Sequence, residues 1–227
     1  METGIKMLPV SVTMFIMSFV GARLSQNFTP QKIVRAGLWT LLLSVLVLAG
    51  TITHELEGLV FGASMSLLGV GMGLLASQLG NVVQSSVGPE DRSEAGGLQY
   101  TAQQLGSSLG TALIGAIVLG ALGSAFVGQL AADPRLDPAL VEAFSTELSG
   151  SIQFVPVDDV VAALEDNTEL SDEAIDAVGD ALRESELAAL RTGLMAAALI
   201  VIGSLFIVGR IPDMSFEELA AAETDDD

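Results

Sequence analysis

Gln78, Asn81 and Gln84 recur three residues apart inside one apolar run, and Gln99, Gln103 and Gln104 open the next. An uncharged amide donates and accepts hydrogen bonds but is neither a nucleophile nor a proton relay. The chemistry on offer is therefore recognition. At membrane depth such groups need partners or water, so they should face a bundle interior or an aqueous cavity. Two readings stay open at this point: Gln78, Asn81, Gln84, Gln103 and Gln104 line a substrate pathway, or they are interhelical hydrogen-bond glue near the interface. The remaining inventory is thin. With no Cys, His54 as the one histidine and only two lysines, disulfides, thiolate metal sites, a His-centred catalytic apparatus and a basic nucleic-acid face are all unsupported. No enzyme activity, metal or cofactor is expected. The string Gly69-Val-Gly-Met-Gly73 looks like part of a dinucleotide fingerprint, but it lies in the middle of a long apolar run with no strand before it.

The elements that hold these amides are set by composition. The 227 residues are 50% apolar and 16% charged, with a positive mean hydropathy, yet the formal charge is −19. The charge is segregated. Residues 131–187 hold fifteen acids and two arginines, and the tail from Ile211 holds seven acids, leaving six of the 28 acids in the first 130 positions. Between these acidic parts lie five apolar blocks: 5–22, 34–53, 58–87, 105–130 and 188–209. Crossing a bilayer takes about 20 apolar residues as a helix, so the chain reads as an all-α, polytopic membrane protein. Its partner of first resort is the lipid bilayer. Residues 1–130 supply four spans, 131–187 form an acidic extracytoplasmic loop with short helices, 188–209 form the fifth span, and 210–227 are a cytoplasmic tail. The first block also fits a signal peptide, with Lys6, an apolar run and a small-residue site at Val20-Gly21-Ala22. Against that reading, Pro9 and several hydroxyls interrupt the run, and the basic stretch after it leads into another span.

Basic residues set the orientation. Placing Arg23, Lys32 and Arg35 inside puts His54, Glu55 and Glu57 outside, Arg92 inside, the acidic insert outside, and Arg210 with the tail inside. The N-terminus is then outside. The stretch Gly88-Pro-Glu-Asp-Arg92 becomes an inside turn, with Pro89 and the two acids suited to the start of the following helix. Glycines mark close packing in the spans: Gly69 and Gly73 form one G-x-x-x-G step, Gly106 and Gly110 another. Within the insert, apolar residues at helical spacing, with Asp133, Asp158 and Ser171 as capping candidates, predict two or three short amphipathic helices. No acid or base lies deep within any span.

The stretches "ETGIKMLP", "GARLSQNFTPQKIVRAG" and, above all, "GVGMGLLASQLGNVVQSSVGPEDRSEAGGLQYTAQQLGSSLGTALIGAIVLGAL" resemble the C-terminal portion of a major facilitator superfamily carrier. The branch they resemble is the fourteen-helix drug:proton antiporters of the EmrB/QacA type, from about Glu2 to Pro212. Gly21 to Gly37 is similar to a degenerate form of that family's cytoplasmic G-x-L-a-D-r-x-G-r-r loop. Gly21, Leu24, Lys32 and Arg35 match, with Arg23 between them, while the acidic position has become Gln26 or a neighbour. The resemblance implies the last five of fourteen helices, in a prokaryotic plasma membrane. It also implies exchange of amphipathic compounds for protons once an N-terminal half completes the carrier. Under it the chain is expected to be truncated and inactive alone. A non-transporting remnant, and a scaffold or companion subunit pairing with a separately encoded half, are the alternatives.

Overall fold

A computed structural model of the chain describes residues 2–52, 59–85, 87–137, 141, 161 and 171–210. The expected outside loop at His54, Glu55 and Glu57, the capping candidate Asp158, most of the acidic insert and the tail from Ile211 lie outside the described residues. The described elements are all helices: α1 (Glu2–Leu24), α2 (Pro30–Thr51), α3 (Leu59–Ser85), α4 (Arg92–Ala132) and α5 (Asp172–Val208). All five are long and apolar enough to cross a membrane. The chain is an all-α polytopic membrane protein.

Local sequence explains the helix ends. Thr29 offers its carbonyl to the N–H groups of Lys32 and Ile33 at 3.0 and 3.3 Å, and Pro30 takes the first helical position, where a missing N–H is harmless. Hence α2 starts directly after a short turn. The loop between α1 and α2 is only residues 25–29, so Gly21 and Arg23 lie inside α1, and Lys32 and Arg35 inside α2. At the other end of α2, Arg191 donates through Nη2 to the Ile52 carbonyl at 3.1 Å, satisfying one of the orphan acceptors a helix leaves.

Two helices run well past the expected spans. α4 begins at Arg92 rather than near Leu105, and α5 at Asp172 rather than near Ala188. Neither extension contains proline, and Ser171 caps α5, its Oγ accepting the Ala174 N–H at 3.3 Å. The third short helix expected in the insert is thus the first part of α5. At about 1.5 Å per residue, the 41 residues of α4 and the 37 of α5 exceed a hydrocarbon layer about 30 Å thick. Each therefore projects beyond it. Asp133 caps no helix start; it closes the end of α4 instead, its Oδ1 accepting the Arg135 N–H at 2.9 Å.

The chain divides into two compact units. The first comprises residues 1–51, 56–110 and 197–227, and in it α3 packs against both α1 and α2. Its interior holds polar groups among apolar ones such as Leu38, Leu42 and Leu74, and its outer surface is apolar, unlike that of a water-soluble domain. Gln31, Ser44, Ser64 and Gln78 are buried, whereas Phe15, Phe19, Trp39 and Phe206 stand outward, as expected where hydrocarbon is the solvent. Hydrogen bonds run through this interior: Ser44 Oγ donates to the Ser64 carbonyl at 2.7 Å, and Gln31 Nε2 to the Val208 carbonyl at 3.2 Å. The second unit comprises residues 52–55 and 111–196. Its core joins Leu122, Phe126 and Leu130, four residues apart on α4, to Leu136 and to Ala177, Val178 and Ala181 of α5.

Candidate substrate cavity

The glycines of α3 bring the helices of the first unit close enough to position an amide. A Cβ added at Gly69 would run into Thr13 Oγ1 and the Val10 carbonyl of α1, and one at Gly73 would lie 2.5 Å from the Met14 carbonyl. Gly71 does the same towards α2, where its partner is itself a glycine: a Cβ at Gly71 would come within 2.9 Å of the Gly37 carbonyl. Only residues without a Cβ permit these approaches, the packing mode that operates in lipid. Gly106 and Gly110 on α4 differ, since a Cβ on either meets nothing within 4 Å.

Between these seams sits Gln78, whose side chain is fully buried. Its Nε2 donates to the Gly21 carbonyl and to Ser77 Oγ, both at 3.0 Å. Ser77 in turn donates its hydroxyl proton to the Leu74 carbonyl at 2.7 Å. The hydroxyl thus meets the amide as an acceptor, and both Nε2 hydrogens are in use. Gln78 Oε1 has no hydrogen-bond partner among the described residues. Gly21 participates twice, because a Cβ there would strike Ser77 Oγ. Its lack of a side chain lets α1 approach, and its carbonyl holds the amide.

Gln78 lines a cavity of about 450 Å³ whose other walls are chiefly apolar. Met14 contributes from α1, Val34 from α2, and Met72, Leu75, Ala76, Leu79, Val82 and Val83 from α3, while α4 adds a second amide, Gln103. A chiefly apolar concavity with a few polar groups is the usual form of a small-molecule site, and this one is open on the side of Met72, Ala76, Leu79 and Gln103, all of which are exposed.

The cavity lining includes two of the five predicted pathway residues, Gln78, which is buried, and Gln103, which is exposed. Asn81 is exposed and donates through Nδ2 to the Ser77 carbonyl of its own helix at 3.3 Å. Gln104 is exposed and pairs with the Tyr100 hydroxyl at 3.4 Å. Gln84 belongs to α3, but its side chain lies outside the described residues. The separation of Gln78 from Asn81 follows from geometry, since steps of three residues rotate steadily around a helix of 3.6 residues per turn. Arg23, Lys32 and Arg35, the basic residues of the loop motif, are exposed. Sequence reasoning missed Ser77 and the Gly37–Gly71 pair; the signal was available in the spacing of Ser77, which continues the Gly69–Gly73 row by one further step of four.

The second unit holds a charged cleft of about 430 Å³ where α4 ends and α5 begins. Arg135 grips Asp133 through Nη2 at 2.7 Å and reaches Asp180 at 3.3 Å, while Arg183 lies 3.7 Å from Asp180. Gln129 Nε2 donates to Glu184 Oε2 at 2.7 Å. Arg135 thus pairs with both Asp133 and Asp180, and Arg183 lies beside Asp180. The Arg135 hydrogen bonds hold the Asp133 carboxyl below its ordinary pKa, and Asp133 in turn raises that of Arg135. These pairs are exposed and fasten the end of α4 to the start of α5.

Among known proteins, the chain is similar to the "Tetracenomycin C resistance and export protein" of Streptomyces glaucescens, 30% identical over 159 residues. It is also similar to the "Probable actinorhodin transporter" of Streptomyces coelicolor, 31% identical over 153 residues. These matches cover 68% and 64% of this chain but only 29% and 26% of the two relatives, so the similarity spans less than a third of each. No family model matches the chain, and no solved structure does.

Proposed function

We propose that these helices form one wall of the substrate pathway in a membrane exporter of amphipathic compounds, with further spans completing the other wall. The observation that carries this reading is the cavity against α3, apolar but for the amides of Gln78 and Gln103. Similarity to two proteins whose names describe export supports it. In finer detail, the chain is a C-terminal part of a major facilitator superfamily carrier of the fourteen-helix drug:proton antiporter branch. It lies in a prokaryotic plasma membrane with the N-terminus and acidic insert outside and the C-terminus inside. Proton coupling is then supplied by acidic groups elsewhere in the completed carrier, because the apolar blocks here carry no deep acid or base. Alternating access requires two halves moving about a central site, so this wall alone does not transport.

Two measurements test the reading. In nanodiscs, the neutral dye N-phenyl-1-naphthylamine should bind saturably above the empty-disc baseline, with energy transfer from Trp39, the one tryptophan. Filling the cavity with Ala76→Phe, which leaves Trp39 the one tryptophan, should abolish the saturable component; retention of full binding would refute the cavity assignment. Co-expression with an N-terminal half from a related carrier should give proton-gradient-dependent dye efflux, and this chain alone should give none. Efflux from the chain alone would overturn the one-wall reading.

A further inference from the structure

Three stripes of exposed apolar side chains in the first unit end in an arginine. On α1 the stripe is Leu8, Val12, Phe15 and Phe19, and the next helical step is Arg23. On α5 it is Leu199, Ile202 and Phe206, followed by Arg210, whose N–H is held by the Ile207 carbonyl at 2.9 Å. α2 runs the other way, with Arg35 first and then Trp39, Leu43 and Leu46. Steps of three and four keep each set on one helix face, and the exposed apolar face of a span is the one that lipid tails cover.

The three arginines lie at one end of the unit. Arg23 and Arg35 flank the short turn 25–29, and Gln31 Nε2, donating to the Val208 carbonyl at 3.2 Å, ties the close of α5 to the start of α2. A long basic side chain near the end of a span extends to the headgroup layer, so all three guanidinium groups reach the phosphates of one leaflet. All three are exposed, and none forms an ion pair among the described residues. In a chain of 28 acids and 9 bases that is selective. The arginines of the second unit are engaged: Arg135 pairs with Asp133 and Asp180, Arg183 lies beside Asp180, and Arg191 caps a backbone carbonyl.

We propose that Arg23, Arg35 and Arg210 bind the phosphates of anionic phospholipids and give this end of the first unit a preference for them over zwitterionic lipid. A guanidinium matches phosphate in charge and geometry, whereas a zwitterionic headgroup offsets its phosphate with its own cation. The assignment is independent of the cavity, since none of the three arginines lines it.

Trp39, the one tryptophan, lies one turn from Arg35 on the same stripe and senses the adjoining lipid. The test reconstitutes the chain in phosphatidylcholine vesicles containing increasing brominated phosphatidylglycerol or brominated phosphatidylcholine, and quenching of Trp39 gives the relative affinity of the two lipids. The wild type should favour phosphatidylglycerol about fivefold, the contribution of one basic residue at an anionic surface, and the ratio should shrink with added salt. Arg35→Lys should keep most of the preference, and Arg35→Gln should bring the ratio close to one. Should R35Q lose its fold, the wild-type ratio and its decline with salt still decide the matter. Mass spectrometry of protein released from mixed vesicles should show phosphatidylglycerol retained by the wild type and less of it with R23Q or R210Q. Equal quenching by both lipids in the wild type would overturn the proposal, as would a ratio unchanged in R35Q. Abolition by soluble glycerol 3-phosphate would overturn it in favour of a free phosphate. A preference that emerges only when residues 213–227 are deleted would overturn it in favour of the chain's own acids.

Discussion

Substituting one glycine on each of two spans separates a packed seam from an open face. A methyl at Gly69 meets the Val10 carbonyl, Thr13 Oγ1 and, at 3.0 Å, the Met14 N. Two of these are backbone atoms that cannot rotate away. To restore ordinary contact α1 must retreat by about 1 Å, a gap that forfeits a quarter to a half of each dispersion well along the seam. Overpacking of this kind costs about 1–3 kcal/mol, offset by at most about 1 kcal/mol of helix propensity gained on replacing glycine. Gly110→Ala gains the same propensity and meets nothing within 4 Å. The two variants should differ by about 1–3 kcal/mol, which at about 2–4 °C per kcal/mol places Gly69→Ala some 2–12 °C below Gly110→Ala. Thermal unfolding followed by Trp39 fluorescence in nanodiscs, both variants at one scan rate, gives the comparison. Equal melting temperatures would refute the argument, because Gly69 would then have no more need of a bare Cα than Gly110.

Asp133 predicts a pH effect of known sign. Its carboxyl is held below the ordinary 3.8, so its contribution is present at neutral pH and disappears as pH falls below that value through the folded-state pKa. The stability difference between wild type and Asp133→Asn should therefore shrink on acidification from pH 6 to 3, and shrink with salt at pH 6, because the pair is exposed; a constant difference would discount the Arg135 pairing. The chain has no cysteine, so Asp176→Cys should react with an impermeant maleimide from outside cells and Ser93→Cys only after permeabilisation. The reverse pattern inverts the proposed orientation. Gly21→Ala should lower the melting temperature, because its methyl strikes Ser77 Oγ, the group that shares Gln78 Nε2 with the Gly21 carbonyl. A melting temperature equal to that of the wild type would refute the contact.

Five spans were legible because hydrocarbon demands long apolar helices and little else produces them at this length. Their bounds were less so. The charges at 92–94 and 172–186 read as loop because charge ends a membrane span, but charge does not end a helix, and no proline or glycine cap interrupts either segment. The paired steps Gly69–Gly73 and Gly106–Gly110 look alike in sequence and differ in the structure, the first held against α1 and the second without a neighbour within 4 Å. A small-residue step states that a backbone can be approached; the approaching backbone is a tertiary fact. The amides divided similarly. Burial of Gln78 depends on Gly21 and Ser77, on two different helices, so no window of local sequence distinguishes it from exposed Asn81 three positions on.

The two readings of the amides, interhelical glue and pathway lining, meet in Gln78 at opposite ends of one group. Its donor end spans from α3 to the Gly21 carbonyl of α1, and interhelical bonds of this kind in membranes contribute about 0.6 kcal/mol on average. That modest gain does not offset leaving a carbonyl oxygen buried without a partner, which costs about 1–3 kcal/mol. An apolar residue of similar volume would remove the unmet acceptor along with the bond. As packing alone the amide is therefore a poor solution. Gln78 is also a residue of the cavity lining, and that imbalance is the physical reason to test it before the exposed amides Asn81 and Gln104.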